Sequence, residues 1–307
     1  MKRQNRMTRR EFLKHSALAA AGSAGLLKKP DRAEAAAPGP RPETPAAGKT
    51  KVVLVRDKDV LDSEGRPKTE VVSEMLGQAL QALTGETDAA AAWKTIIRPD
   101  DIVGIKSNVW NFIPTTRQVE EALKMGVLAA GVREDRIGID DRGVLRHPIF
   151  QKTTALINAR PMRSHHWSGV GTLIKNYIMF VPDPFNYHED SCARLAAIWD
   201  NPLVKGKTRL NVLVMLTPQF HGVGPHNFNP KYVWPYYGLI VGFDPVACDA
   251  TGLRIIEAKR REFFAEDRPL NPPAKHIFLA ASRYHLGTAD PKMIDLVKIG
   301  DEQDILI

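Results

Sequence analysis

The chain has 307 residues, a formal net charge of +8 and only two cysteines. Nine of its basic residues (Lys2, Arg3, Arg6, Arg9, Arg10, Lys14, Lys28, Lys29 and Arg32) lie in the first 36 positions against three acids, so the remainder carries about +2. A nearly neutral body without a Lys/Arg stripe interleaved with aromatics argues against a nucleic-acid partner. Cys192 and Cys248 are too few for a four-cysteine iron–sulfur cluster or zinc site. Whether they pair with each other is left open, because a disulfide needs close Cα atoms that spacing does not reveal.

The first element is a leader. Thr8-Arg9-Arg10-Glu11-Phe12-Leu13-Lys14 followed by the apolar run 17–27 has the form of a twin-arginine export signal, with Ala33-Glu34-Ala35 as a signal-peptidase site and cleavage expected after Ala35 or Ala36. The run is too short to cross a hydrocarbon core, which needs about 20 residues. The expectation is therefore a signal peptide over residues 1–36, export by the twin-arginine translocase to the periplasm, and no stable membrane anchor. Residues 37–50, rich in Pro, Ala and Gly, read as a flexible linker.

From residue 51 to 307, short β-branched runs alternate with helical patterns. Candidate strands are 51–55, 102–105, 136–139, a short one at 155–159, 210–216 and 238–241. Candidate helices are 71–83, 119–130 and 245–261, the last opening on Asp244 as N-cap with Pro245 in the first turn. The pattern predicts a single compact α/β domain with a mostly parallel sheet and helices on both faces.

In such sheets ligands bind beyond the carboxyl ends of the strands. The residues there are polar: Lys106-Ser107-Asn108, Asp140-Asp141-Arg142-Gly143, Arg163-Ser164-His165-His166, the segment 217–226 and Asp244. His165 stands beside Gly169-Val170-Gly171, and with His188 or His221 would supply a nitrogen-rich set suited to zinc, copper or nickel; each histidine alone is equally a structural residue. Lys175 follows an apolar stretch; if buried, it suits a base, a covalent anchor or an anion clamp, and otherwise it is an exposed helix lysine. Asn176 either orients a ligand or caps the turn. Asp141 either serves acid–base chemistry or belongs to an ordinary turn. His188 and Cys192, four apart, would share a helical face if a helix begins near Tyr187. Trp167, Trp199, Trp234, Tyr236 and Tyr237 either wall a small ligand or pack the core. Gly222-Val223-Gly224-Pro225 is too short for a dinucleotide fingerprint.

The stretches Gly104–Asn108, Arg163–Asn176, His188, Gly222-Val223-Gly224-Pro225, Asp244–Asp249 and Leu286–Asp290 resemble the bacterial and archaeal family called domain of unknown function 362. The chain departs from that family's pattern at Ser107, Arg163 and Tyr177. The resemblance singles out Lys106, Asn108, His165, Lys175, Asn176 and His188, and implies an α/β fold more than a reaction. A more distant similarity is to the lactate racemase family, whose amino-terminal domain holds a nickel pincer cofactor through histidines and a covalently attached lysine. The order His165, Gly169, Gly171, Lys175, His188 is similar to that arrangement.

These readings converge on an exported protein that binds a metal or cofactor, possessing a small-molecule ligand and acting on it through Lys175 and Asp141. His165, Lys175, Asn176, Lys106 and Asn108 would hold a cofactor, and His165, His188 and His221 a metal. The cofactor is of unknown identity, a transition metal or a metal-containing organic group. The competing readings are a non-catalytic periplasmic protein that binds or delivers a metal or small ligand, and a partner subunit of a redox complex.

Overall fold

A computed structural model describes residues 48–222 and 228–307. The expected signal peptide, most of the expected linker and Val223-Gly224-Pro225 lie outside the described residues. The described chain is built on one eight-stranded sheet in the order β3-β2-β4-β6-β7-β1-β8, with β5 paired to β4. The strands are β1 Thr50–Arg56, β2 Val103–Lys106, β3 Ile137–Asp140, β4 Ala155–His165, β5 Gly169–Gly171, β6 Thr208–Gln219, β7 Gly238–Gly242 and β8 Ile294–Gly300. β2 pairs in parallel with β3 and β4, β4 with β6, and β1 with β8; β7 runs antiparallel between β6 and β1. The expected α/β architecture with a mostly parallel sheet is what the chain forms.

The central strands are buried on both faces, which is why their sequences read as unbroken apolar runs. Alternation sends Val52, Leu54, Leu213, Met215 and Ile240 into one core and Val53, Val55, Val212, Val214, Leu239 and Val241 into the other. The second core is closed by α1 (Thr69–Thr84), α2 (Ala89–Ile96) and α3 (Arg117–Ala129). The first is closed by the one-turn helix α4 (Leu173–Asn176), by α5 (Pro245–Phe264), by α6 (Lys275–Ser282) and by the short helical turns at Tyr177–Phe180 and Leu195–Asp200. Helix ends follow sequence chemistry. α1 stops at Gly85, whose φ of 82° places its N–H on the Gln81 carbonyl. α5 begins where Asp244 Oδ1 accepts from the Val246 and Ala247 amides at 2.8 and 3.0 Å. Among the described residues no helix is long and apolar enough to cross a membrane.

Two local expectations are corrected, and one open question is answered. The strand read as 155–159 continues to His165, because Arg160 and Arg163 are buried within it rather than ending it. The segment after Tyr187 is not a regular helix: Asp190, Ser191 and Cys192 all have positive φ, so His188 and Cys192 do not share a helical face. Cys192 and Cys248 are both free and buried.

Candidate functional site

The carboxyl ends of β2, β3 and β4 converge on a cavity of about 240 Å³. It is lined by side chains from those strand ends, by Lys175 and Asn176 of α4, by the following turn at Ile178 and Met179, and by Pro184 and His188. The structure thus brings together Asn108, Asp141, His165, Lys175, Asn176 and His188, six of the residues expected to carry chemistry, with Lys106 directly behind them.

Lys106 is fully buried at the end of β2. Its ammonium donates to the Asp141 carboxylate and, at 2.8 Å, to the Ser107 carbonyl. Burial pulls the Lys106 pKa down from the ordinary lysine value, opposed by the Asp141 charge. Burial acts to raise Asp141, but the charge and hydrogen bond of Lys106 outweigh it, so its carboxyl lies below the usual range. Asp141 also accepts from the Val109 amide at 2.9 Å. Its carboxylate is therefore committed to holding β2 and β3 together at the cavity floor. Asp140, its neighbour, does the turn work by accepting from the Gly143 amide at 3.0 Å. Asn176 is similarly engaged: its amide donates to the carbonyls of Lys106 and Ala159 at 3.1 and 3.2 Å and to Asn158 Oδ1 at 2.9 Å.

Lys175 lies 3 % exposed at the cavity wall, and its ammonium donates to Cys192 Sγ at 3.6 Å. Burial first, then the nearby guanidinium charges against a partial offset from Cys192, bring its pKa down to about 8. A substantial fraction of this amine is unprotonated near neutrality, the state in which an amine is a base or a nucleophile. α4 is aimed at the cavity by Asp249, a fully buried carboxylate of α5 that accepts from the Leu173 and Ile174 amides at 2.9 Å each. In the sequence Asp249 stands out only as the end of the stretch Asp244–Asp249; its long-range partners Leu173 and Ile174 were not legible from local spacing.

The β4–β5 hairpin carries His165. Gly169, at φ 72°, must be glycine on two counts, since a Cβ there would also sit 2.5 Å from the Pro272 carbonyl oxygen. His165 Nδ1 accepts from the Trp167 amide at 3.2 Å, so the neutral ring carries its proton on Nε2. Burial, reinforced by Lys175 and the arginines, holds the His165 pKa well below the usual imidazole value, and burial with Lys175 brings His188 to about 4. Trp167 packs on His166 and on His188, with ring centroids 4.2 and 4.1 Å apart.

His221 is not part of this group. Its Nδ1 faces Arg260 Nη1 at 3.0 Å, and its ring packs edge-on against Tyr232 and Phe264. The expected three-histidine set is therefore not assembled, and among the described residues no group of three or more His, Cys, Asp or Glu is placed to hold a metal ion. His165 presents a donor where a ligating imidazole would present a lone pair. The described side chains do not fit a metal centre made by the protein alone. Of the aromatic residues singled out by sequence, only Trp167 stands near the cavity residues; Trp199 and Tyr236 are buried in the core.

Two cavity residues, Arg160 and Trp110, escaped the sequence reading, and Arg163 entered it as a polar residue beyond a strand end. Arg160 and Arg163 are 3 % and 4 % exposed, and Trp110 stacks against the Arg163 guanidinium at 4.4 Å. The available signal was the pair of arginines inside an otherwise apolar strand. Comparison with protein-family models, with curated proteins and with solved structures found no match. What the site does must therefore be argued from its own residues.

Proposed function

We propose that this chain is a protein exported by the twin-arginine pathway which holds a small organic ligand, substrate or cofactor, in the cavity at the carboxyl ends of β2, β3 and β4 and acts on it through the Lys175 amine. The observation that carries this reading is a lysine buried against an open cavity with its pKa brought to about 8. A lysine exposed on a helix would have neither property. The leader motif supplies the compartment, and the resemblance to the domain of unknown function 362 family rests in part on residues that line the cavity, Asn108, His165, Lys175, Asn176 and His188. Lys175 and the Nε2–H of His165 are among the groups available to a bound molecule; Lys106, Asp141 and Asn176 fix the floor on which it rests.

A second reading, a periplasmic protein that binds or delivers a ligand without turnover, is favoured by one feature. Asp141, the sole carboxylate among the lining side chains, is tied to Lys106 and Val109, leaving Lys175 without a free acidic partner. Mass spectrometry of the mature protein purified after native export separates these cases. Wild type is expected to carry a small molecule, released on denaturation or attached at Lys175, that Lys175→Met loses while remaining folded. Wild type without cargo, and without any small-molecule binding that depends on Lys175, would rule out this use of the cavity.

A further inference from the structure

Arg160 and Arg163 make the cavity strongly cationic. Strand alternation would place residues 160 and 163 on opposite faces of the sheet, yet both line the cavity. The β4–β6 ladder breaks its register between Pro161 and Arg163, where Pro161 has no N–H to donate, and this irregularity re-aims the strand so that both guanidiniums point inward. Arg160 Nε is buried with no hydrogen-bond partner. Gly171 makes room for the same side chain: a Cβ there would lie 2.7 Å from Arg160 Nη2.

Buried arginines ordinarily sit beside a carboxylate. Among the described residues neither Arg160 nor Arg163 forms an ion pair; Arg163 is held by Asn108 Oδ1 at 3.2 Å and by the face of Trp110. The one lining carboxylate is already paired with Lys106. Burial lowers the Arg160 pKa to about 10, and that of Arg163 falls through burial and through its neighbour's charge; a guanidinium is basic enough to keep its proton in proteins. Two guanidiniums and the Lys175 ammonium thus surround a space larger than a monatomic ion needs, with Ile178, Met179 and Pro184 on its apolar side.

We propose that the ligand of this cavity is a small organic anion whose carboxylate or phosphate group sits between Arg160 and Arg163, with its carbon skeleton against Ile178 and Met179. This rests on the small-molecule reading above and adds the charge class of the ligand. The planar guanidinium fork matches both carboxylate and phosphate oxygens, and Arg160 Nε is the donor left open for them. Dianions should bind more tightly than monoanions, because three positive groups converge.

Titration calorimetry on the mature protein with malonate and glycerol phosphate, against malonamide and glycerol as uncharged counterparts, tests the assignment. Binding of an anion but not of its counterpart is expected, weakening with salt. Whether malonate or glycerol phosphate binds distinguishes a carboxylate from a phosphate site. Arg160→Met should weaken that binding about ten- to a hundredfold, as for a lost hydrogen bond to a charged group. The same change should leave the melting temperature of the ligand-free protein equal or raised, since it removes a buried guanidinium that forms no ion pair among the described residues and is offset only at longer range by Asp141 and Asp249. Gly171→Ala, which crowds the Arg160 head group without removing it, should weaken binding as well. Equal binding of charged and uncharged probes, or unchanged affinity in Arg160→Met and Gly171→Ala, would overturn the anion assignment while leaving the small-molecule site in place. Binding of no probe, in a protein that also carries no cargo, would remove both.

Discussion

Lys106 and Asp141 are the residues whose chemistry differs most from what their surroundings in sequence suggest. Asp-Asp-Arg-Gly reads as a surface turn, and Asp140 does satisfy that turn; Asp141, one residue on, faces inward and is 5 % exposed. Which of two adjacent acids turns inward depends on where β2 lies, and that is a tertiary fact. Removing one partner of a buried ion pair strands the other's charge, at a cost of about 3–5 kcal/mol. Asp141→Asn should therefore lower the urea-unfolding free energy by about that amount, and the paired change Lys106→Met with Asp141→Leu should recover most of it. A loss below about 1 kcal/mol for Asp141→Asn would mean that the pair is not held as described. Lys175 was legible as a residue of interest, but its burial and the charges that act on it could not be seen, because Arg160 and Arg163 face it from β4.

Elements whose chemistry is local and regular were legible. The runs that became β1, β2, β3, β6 and β7 are mainly apolar, and the Asp244-Pro245 start of α5 carries its own cap. Those missed fail the same criteria for physical reasons. β8 is an edge strand with polar residues facing out, so it lacks a continuous apolar run; β5 is three residues long and exists only by pairing with β4. β4 was truncated because buried charge is rare enough to look like a boundary. The packing of α3 on α2 yields a sharp expectation. A Cβ at Gly126 would lie 2.1 Å from Trp93 Cε2, and the indole is 4 % exposed, with little space to yield. Glycine to alanine inside a helix normally gains up to about 1 kcal/mol. Gly126→Ala should reverse that sign and cost about 1–3 kcal/mol by overpacking, measured as a fall in denaturation midpoint. A stabilised variant would mean that the two helices separate easily.

At the scale of the whole molecule, buried neutral histidines make stability fall towards acid pH, and Asp249, which burial raises to about 7, acts in the opposite sense over the same range. Burial brings His276, whose Nε2 meets Thr172 Oγ1 at 3.0 Å, to about 3, and His188 to about 4. Unfolded imidazoles titrate near 6.5, so below about that pH the unfolded chain binds protons the folded chain refuses. Stability should accordingly fall as pH drops from about 6.5 towards 3–4, by up to about 1.4 kcal/mol per pH unit for each histidine. Urea midpoints of wild type and His276→Gln measured between pH 7 and 4 check this: the variant should lose less stability over that range than wild type, and equal losses would contradict the burial of His276. Lys175 extends the same slope at the alkaline end, because unfolded lysine keeps its proton beyond the folded value of about 8. The sheet itself separates two kinds of surface: the cavity opens among residues of the first core, whereas the core under α1, α2 and α3 contains apolar side chains. For descent with modification, the consequence is independence. Lineages sharing this scaffold can exchange arginines, histidines or lysine on one side and so change what they bind, while the opposite side goes on folding the chain as before.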